Sequence, residues 1–231
     1  MTPLVLLPGM MCDARLFSPQ IEALSGTRTL VLPHLSSHDN FETLAVEILS
    51  NTPPRFALAG LSMGGIVAME IFRQAPERVD RIALLDTNPR AEQESIKAGR
   101  EKQISKVLQG GLVEVMRNEM KPNYLTQGPR RNQILDLCLD MAVGLGKEVF
   151  VCQSRALQRR RDQQNTLCNV KVPTLVLCGE DDILCPVERH ELMHNLIPGS
   201  NLEIIRGAGH LPTLEQPDAT THALLRWLEK E

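Results

Sequence analysis

A turn that passes directly from a buried strand into a helix constrains this chain more than any other feature. Phe56-Ala57-Leu58-Ala59 is an apolar run of strand length, and Ile66 to Phe72 carries helical apolar spacing. Gly60-Leu61-Ser62-Met63-Gly64 fills the gap between them. In so short a passage the backbone two positions to either side of the turn residue is crowded, and glycine removes the clashing Cβ and tolerates strained dihedrals. A G-x-S-x-G pattern arises by chance in many chains; its place between strand and helix is what gives it meaning. The turn lifts the Ser62 hydroxyl above the sheet edge, at the positive end of the following helix. Ser62 is therefore the leading nucleophile candidate, against the plainer reading of a glycine-rich loop with a surface serine.

Around this turn the chain alternates strands and helices. Pro3–Leu7, Thr29–Leu32, residues 55–60 and Arg81–Leu85 read as strands; residues 14–25, Phe41–Leu49 and a segment from Ser62 to near Pro76 read as helices. Such alternation is the signature of a parallel sheet covered on both faces. The rhythm breaks over residues 91–165, where four helical segments are predicted, at about 92–109, 111–120, 130–143 and 146–161, with no convincing strand. It resumes at Pro173–Cys178, a helix from Pro186 to Leu196, a strand at Leu202–Ile205 and a final helix near 217–229. A helical block inserted between two strands of an α/β sheet sits over their carboxyl ends, where open sheets bind ligands. The expected organisation is thus a core of residues 1–89 and 166–231, with residues 90–165 as a helical cap.

Composition excludes several classes. At 231 residues with 42% hydrophobic and 23% charged content, the chain is ordinary for a globular protein with a sizeable core. A net charge of −3 gives no reason to expect a nucleic-acid partner, although residues 90–165 hold 14 Lys and Arg against 9 Asp and Glu. A solvated helical face accounts for that asymmetry. Met1–Gly9 lacks the basic region of a signal peptide, and no apolar run approaches a membrane span. The six cysteines are scattered without C-x-x-C spacing, which fits reduced thiols and a cytoplasmic location. Neither a P-loop nor a dinucleotide fingerprint is present, so no cofactor is expected.

A serine hydroxyl needs a base to take its proton as it attacks, and the base needs a carboxylate to hold its tautomer. The turn resembles that of α/β-hydrolases, whose chain order is Ser, then Asp or Glu, then His, and this implies partners after residue 62 in that order. His34 and His38 precede Ser62, His190 and His194 lie in a helical segment, and His222 lies in the last helix. His210, in Gly207-Ala-Gly-His210-Leu-Pro212 directly after the final strand, is the base candidate. The acid candidate is Asp182 in Gly179-Glu-Asp-Asp182, with Asp181 and Asp86 as competitors. Three adjacent acids cannot all be buried, so at least one of Glu180, Asp181 and Asp182 is solvated. Two backbone N–H donors for an oxyanion are expected from Met63, at the helix N-terminus, and Met10, in the loop after the first strand. His190-Glu191-Leu-Met-His194 matches a zinc-binding H-E-x-x-H pattern, but a third ligand is not evident and a solvated helix face explains it. No metal is expected.

Pro8-Gly9, Gly60-Leu-Ser-Met-Gly64, Gly179-Glu-Asp-Asp182 with Pro186, and Gly207-Ala-Gly-His210 with Glu215-Gln-Pro217 together resemble the α/β-hydrolase superfamily over nearly the whole chain. The resemblance is to its small capped serine esterases, such as pimeloyl-carrier-protein methyl ester esterases and 3-oxoadipate enol-lactonases. It implies an α/β-hydrolase fold with an inserted helical cap. It also implies Ser62 as nucleophile, Asp182 as acid, His210 as base, and Met10 and Met63 as the oxyanion hole. The chain begins at the strand carrying the oxyanion loop, so the implied sheet is six-stranded and all parallel. Leu7 stands where the superfamily commonly has histidine. The implied function is hydrolysis of a small to medium ester, thioester or lactone through an acyl-enzyme, with acidic or carrier-protein-linked substrates compatible with the basic cap, including Arg159-Arg-Arg161. The same residues could serve acyl transfer or proton abstraction, as in the menaquinone-pathway lyase, or a pocket that only binds.

Overall fold

The computed structural model describes residues 1–229. Six strands, β1 (Leu4–Leu7), β2 (Leu30–Val31), β3 (Phe56–Leu61), β4 (Val79–Leu85), β5 (Thr174–Gly179) and β6 (Asn201–Ile205), form one sheet in the order β2-β1-β3-β4-β5-β6. All five pairings are parallel, as the strand-helix alternation predicts. The strands are apolar on both faces because both are covered. Val5, Leu7, Leu58, Ile82, Leu84 and Val176 enter one buried cluster, while Leu4, Leu6, Ala57, Ala59, Leu85 and Leu177 enter the other. Each strand's period of two thus feeds two cores.

Helices α2 (Phe41–Ser50) and α3 (Met63–Gln74) contribute Leu44, Ile48, Val67 and Ile71 to the first core. Helices α1 (Ser18–Leu24) and the C-terminal helix at Pro217–Glu229 contribute Leu24, Leu224 and Trp227 to the second. Asn40 caps α2, its Oδ1 accepting from Thr43 N–H at 2.9 Å.

Between β4 and β5 every regular element is helical. Helix α4 (Glu94–Leu108) is followed by a short α5 (Leu112–Glu114), which continues as a π-helix over Val115–Met120. The two later segments, predicted as separate helices broken near residue 145, are two helical stretches within Arg131–Arg159, labelled together α6, and the break falls at Gly146, whose φ of 86° and ψ of 174° are non-helical. Helices α7 (Gln164–Leu167) and α8 (Val187–Leu196) bracket β5. Chain returning from the insertion is tied to α3 by the fully buried Glu70, which accepts from Arg73 at 2.6 Å, Gln74 at 2.8 Å and Gln163 at 2.8 Å. Two short helices were not anticipated: α7, and α9 (Pro212–Glu215), which precedes α10, the C-terminal helix Pro217–Glu229.

The glycines flanking Ser62 are required by contact distance. A Cβ on Gly60 would lie 2.2 Å from the Gly64 carbonyl oxygen, and one on Gly64 would lie 2.0 Å from that of Leu7. Gly64→Ala must therefore push β1 from α3, and is expected to destabilise the protein by about 2 kcal/mol or more in urea unfolding. Gly99→Ala, inside α4 where a Cβ meets nothing within 4 Å, is the matched control and should stabilise by about 0.5–1 kcal/mol. Equal behaviour of the two variants would contradict the close-packed turn.

Candidate active site

The parallel sheet delivers six strand ends to one edge, and every predicted site residue follows one of them. Ser62 follows β3 and is the N-cap of α3, with φ 55° and ψ −115°. Its N–H is held by the Leu85 carbonyl at 2.9 Å, and its carbonyl accepts from the Thr87 hydroxyl at 2.7 Å. Asp182 lies in the turn after β5, and His210 in the loop after β6. Gly209 brings that loop close to the Tyr124 carbonyl, while Gly207 supplies a φ of 67°.

These three side chains meet. Ser62 Oγ is 2.9 Å from His210 Nε2, and His210 Nδ1 is 2.7 Å from Asp182 Oδ2. With a carboxylate against Nδ1, that nitrogen carries the proton and donates it, leaving Nε2 to accept from the serine hydroxyl. The other oxygen of Asp182 accepts from the N–H groups of Leu184 at 2.8 Å and Cys185 at 3.0 Å. Burial pushes the Asp182 carboxyl up, but His210 and these backbone donors outweigh it and hold the group below the usual carboxylate range. Of the competing acids, Glu180 and Asp181 are exposed.

Asp86 is fully buried beside Asp182, at a strained φ of 44°. Its Oδ1 accepts from Gly179 N–H at 2.9 Å, the residue that opens the Asp182 turn, while Oδ2 has no hydrogen-bond partner. Burial first, and then the negative Asp182, push the Asp86 carboxyl well above its ordinary value. Asp86 thus reaches the Asp182 turn, not the imidazole.

Met63 opens α3, whose first N–H groups have no intrahelical partner. The Gly9-Met10 loop runs alongside, close enough that a Cβ on Gly9 would stand 3.5 Å from Ser62 Cβ. Met10, Ser62, Met63 and His210 line one cavity of about 510 Å³. Sequence reasoning missed what holds this loop. Met11, at φ 54°, donates its N–H to Gln153 Oε1 at 2.8 Å, and Gln153 in turn donates to the Leu35 carbonyl at 2.8 Å. Two other supports were assigned no role from the sequence: Tyr124, whose ring lies 5.9 Å from that of His210 and whose carbonyl accepts from His210 N–H at 2.7 Å, and the Glu215 carboxylate, which takes the N–H groups of Gly209 and Leu211. Glu215 stood in a recognisable motif; Tyr124 comes from the insertion and had no local signal.

The H-E-x-x-H segment needs a correction. His190 is not on a solvated face: it is fully buried, because α8 turns it toward the carboxyl end of β4. Burial pushes its pKa down to about 4, so it is neutral, and Nε2 accepts from Thr87 N–H at 3.1 Å. His194 is engaged elsewhere, its Nδ1 2.8 Å from Ser200 Oγ. Among the described residues the grouping with metal-ligand spacing is Asp182, Cys185 and His210.

The alpha/beta hydrolase family model matches residues 4–223, and the chain belongs to that family. It is 26% identical to the pimeloyl-[acyl-carrier protein] methyl ester esterase of Legionella pneumophila strain Corby, over 94% of this chain and 90% of that one. It is also 26% identical to the biotin biosynthesis bifunctional protein BioHC of Teredinibacter turnerae, covering 85% of this chain but only 38% of that longer protein. Among solved structures, a thermophilic esterase of Thermogutta terrifontis with malate bound superposes with a TM-score of 0.91 at 27% identity, over 99% of this chain and 89% of that one. The chain is thus an alpha/beta hydrolase, and the relatives it resembles include esterases. No helix among the described residues is long and apolar enough to cross a membrane.

The Asp86 carboxyl generates a pH prediction. With its native carboxyl held well above the ordinary range, the fold releases this proton at higher pH than the unfolded chain, which releases it above about pH 4, so this group lowers stability as pH rises. Asp86→Asn, uncharged at every pH, should melt with the wild type near pH 4 and above it at pH 8. Coincident melting curves at both pH values would show that Asp86 is ionised in the fold.

Proposed function

We propose that this protein is a serine esterase that cleaves a small to medium carboxylic ester, thioester or lactone. The observation that carries this reading is the unbroken hydrogen-bond chain from Ser62 Oγ through His210 to the buried Asp182, opening into the cavity. Ser62 Oγ attacks the substrate carbonyl carbon as its proton passes to His210 Nε2. Asp182, held ionised by its donors, stabilises the imidazolium without taking its proton. The oxyanion of the tetrahedral intermediate accepts from the N–H groups of Met10 and Met63, each worth several kcal/mol there (~3 by analogy with other oxyanion-hole donors). His210 then protonates the leaving alcohol or thiol, and water, activated by the same imidazole, releases the acid and restores Ser62.

Residues 90–165 act as the cap. α4 and α6 wall the cavity through Arg100 and Leu157, and Tyr124 braces the His210 loop. A cavity of this volume suits a small-molecule ester. The Legionella relative acts on an ester borne by an acyl-carrier protein, and the basic insertion is compatible with a carrier-linked substrate. All six cysteines are free, which fits a cytoplasmic setting.

The test is hydrolysis of p-nitrophenyl esters from acetyl to decanoyl by wild type, Ser62→Ala and His210→Ala. A chain-length optimum is expected in the wild type, with both substitutions lowering kcat by about 1,000-fold or more. Turnover that survives Ser62→Ala would sink the assignment.

A further inference from the structure

The basic triplet Arg159-Arg160-Arg161 divides in the fold. Arg159 pairs with Asp39 and Arg161 reaches Glu42 at 3.6 Å, both as exposed pairs. Arg160 follows the last residue of α6 with an extended backbone, φ −57° and ψ 135°, and turns inward to line the cavity shared with Ser62. There it meets Glu92 at 3.3 Å, a carboxylate whose side chain is 2% exposed. Glu92 is already held by Arg100, at 2.5 Å from Nε and 3.3 Å from Nη2. Two guanidinium cations, 16% and 11% exposed, therefore share one buried carboxylate.

The charges around this trio do not balance it. Arg189, half-buried on the same cavity wall, donates to the Leu184 carbonyl at 2.9 Å and has no carboxylate partner among the described residues. The other acid of the cavity, Glu119, is matched by Lys106 at 2.5 Å. Burial pushes the Arg160 guanidinium below its usual range, opposed by Glu92 and aided by Arg100 and Arg189. Arginine does not give up its proton in proteins, so the surplus charge stays. A buried cation without a counter-ion is costly, and a buried donor without an acceptor adds to that cost. Arg160 Nε is such a donor, buried and without a hydrogen-bond partner.

We infer that the Arg100–Glu92–Arg160 trio is an anion subsite, and that the substrate carries a free carboxylate at a distance from the bond that Ser62 attacks. This rests on the esterase reading and narrows the substrate to acid-bearing esters or lactones, such as half-esters of small dicarboxylic acids. A carboxylate fits better than a phosphate monoester. Within the trio itself the surplus is one positive charge, Arg189 being only half-buried and screened by solvent; a carboxylate supplies one negative charge in a plane that a guanidinium fork matches, and a phosphate carries nearly two. The subsite adjoins the reacting centre, since Arg100 Nη1 contacts Met10 Sδ at 3.7 Å.

The probe is glutarate, with uncharged glutaramide as its isostere, titrated calorimetrically into wild type, Arg160→Met and Arg160→Lys. Glu92 keeps Arg100 in Arg160→Met, so the fold should persist, and circular dichroism checks it. Glutarate should bind the wild type at least tenfold more tightly than glutaramide, lose that advantage in Arg160→Met and keep part of it in Arg160→Lys. It should also inhibit p-nitrophenyl butyrate hydrolysis competitively. Mono-p-nitrophenyl glutarate should exceed p-nitrophenyl pentanoate in kcat/KM at least tenfold in the wild type, with the ratio collapsing in Arg160→Met. Equal binding of glutarate and glutaramide, or glutarate binding that Arg160→Met leaves intact, overturns the subsite while neutral-ester turnover sustains the esterase reading. Charge-selective glutarate binding without any ester turnover would fail the esterase reading instead and leave the subsite standing.

Discussion

The approach of three backbone segments at the β3–α3 turn sets the rest of this molecule. Leu7 of β1, Gly60 of β3 and Gly64 of α3 come within distances that leave no room for a single methyl group. That contact fixes the start of α3 over the carboxyl ends of β1 and β3, and Ser62 takes the left-handed conformation that results. The parallel sheet then brings the loops after β4, β5 and β6 to the same edge, so that residues far apart in the chain need only short loops to meet.

Strain collects where those loops leave the sheet. The non-glycine residues with positive φ among those described are Met11, Ser62 and Asp86, each just beyond the end of β1, β3 or β4. Such conformations cost on the order of 1–3 kcal/mol each and persist when surrounding bonds over-determine them. Here the bonds are identifiable. Gln153 holds Met11, the Leu85 carbonyl and Thr87 hydroxyl hold Ser62, and Gly179 N–H engages Asp86. Gln153 belongs to α6, so the inserted helices contribute directly to the shape of the loop that carries Met10.

The site and most of the fold were legible in the sequence because their signals are local. A glycine-flanked serine between an apolar run and a helical period announces its own turn, and Asp182 and His210 each follow a readable strand. What was not legible depends on packing between distant segments. His190 looked like a surface residue because α8 carries few apolar side chains, yet it is buried against the Thr87 N–H. Gln153, Tyr124 and the inward turn of Arg160 act through partners more than 60 residues away, and no pattern of spacing reports them. The basic character of residues 90–165 was visible as composition, but not its division into exposed ion pairs and one buried, undercompensated trio.

The central claim is that Ser62 is activated by His210, and covalent labelling tests it most directly. A fluorophosphonate probe, followed by intact-mass and peptide analysis, should place one adduct per chain on the peptide containing Ser62, and labelling should be lost or slowed by about 1,000-fold or more in His210→Ala. An adduct on another residue, or Ser62 labelling that is indifferent to the loss of His210, would contradict the account.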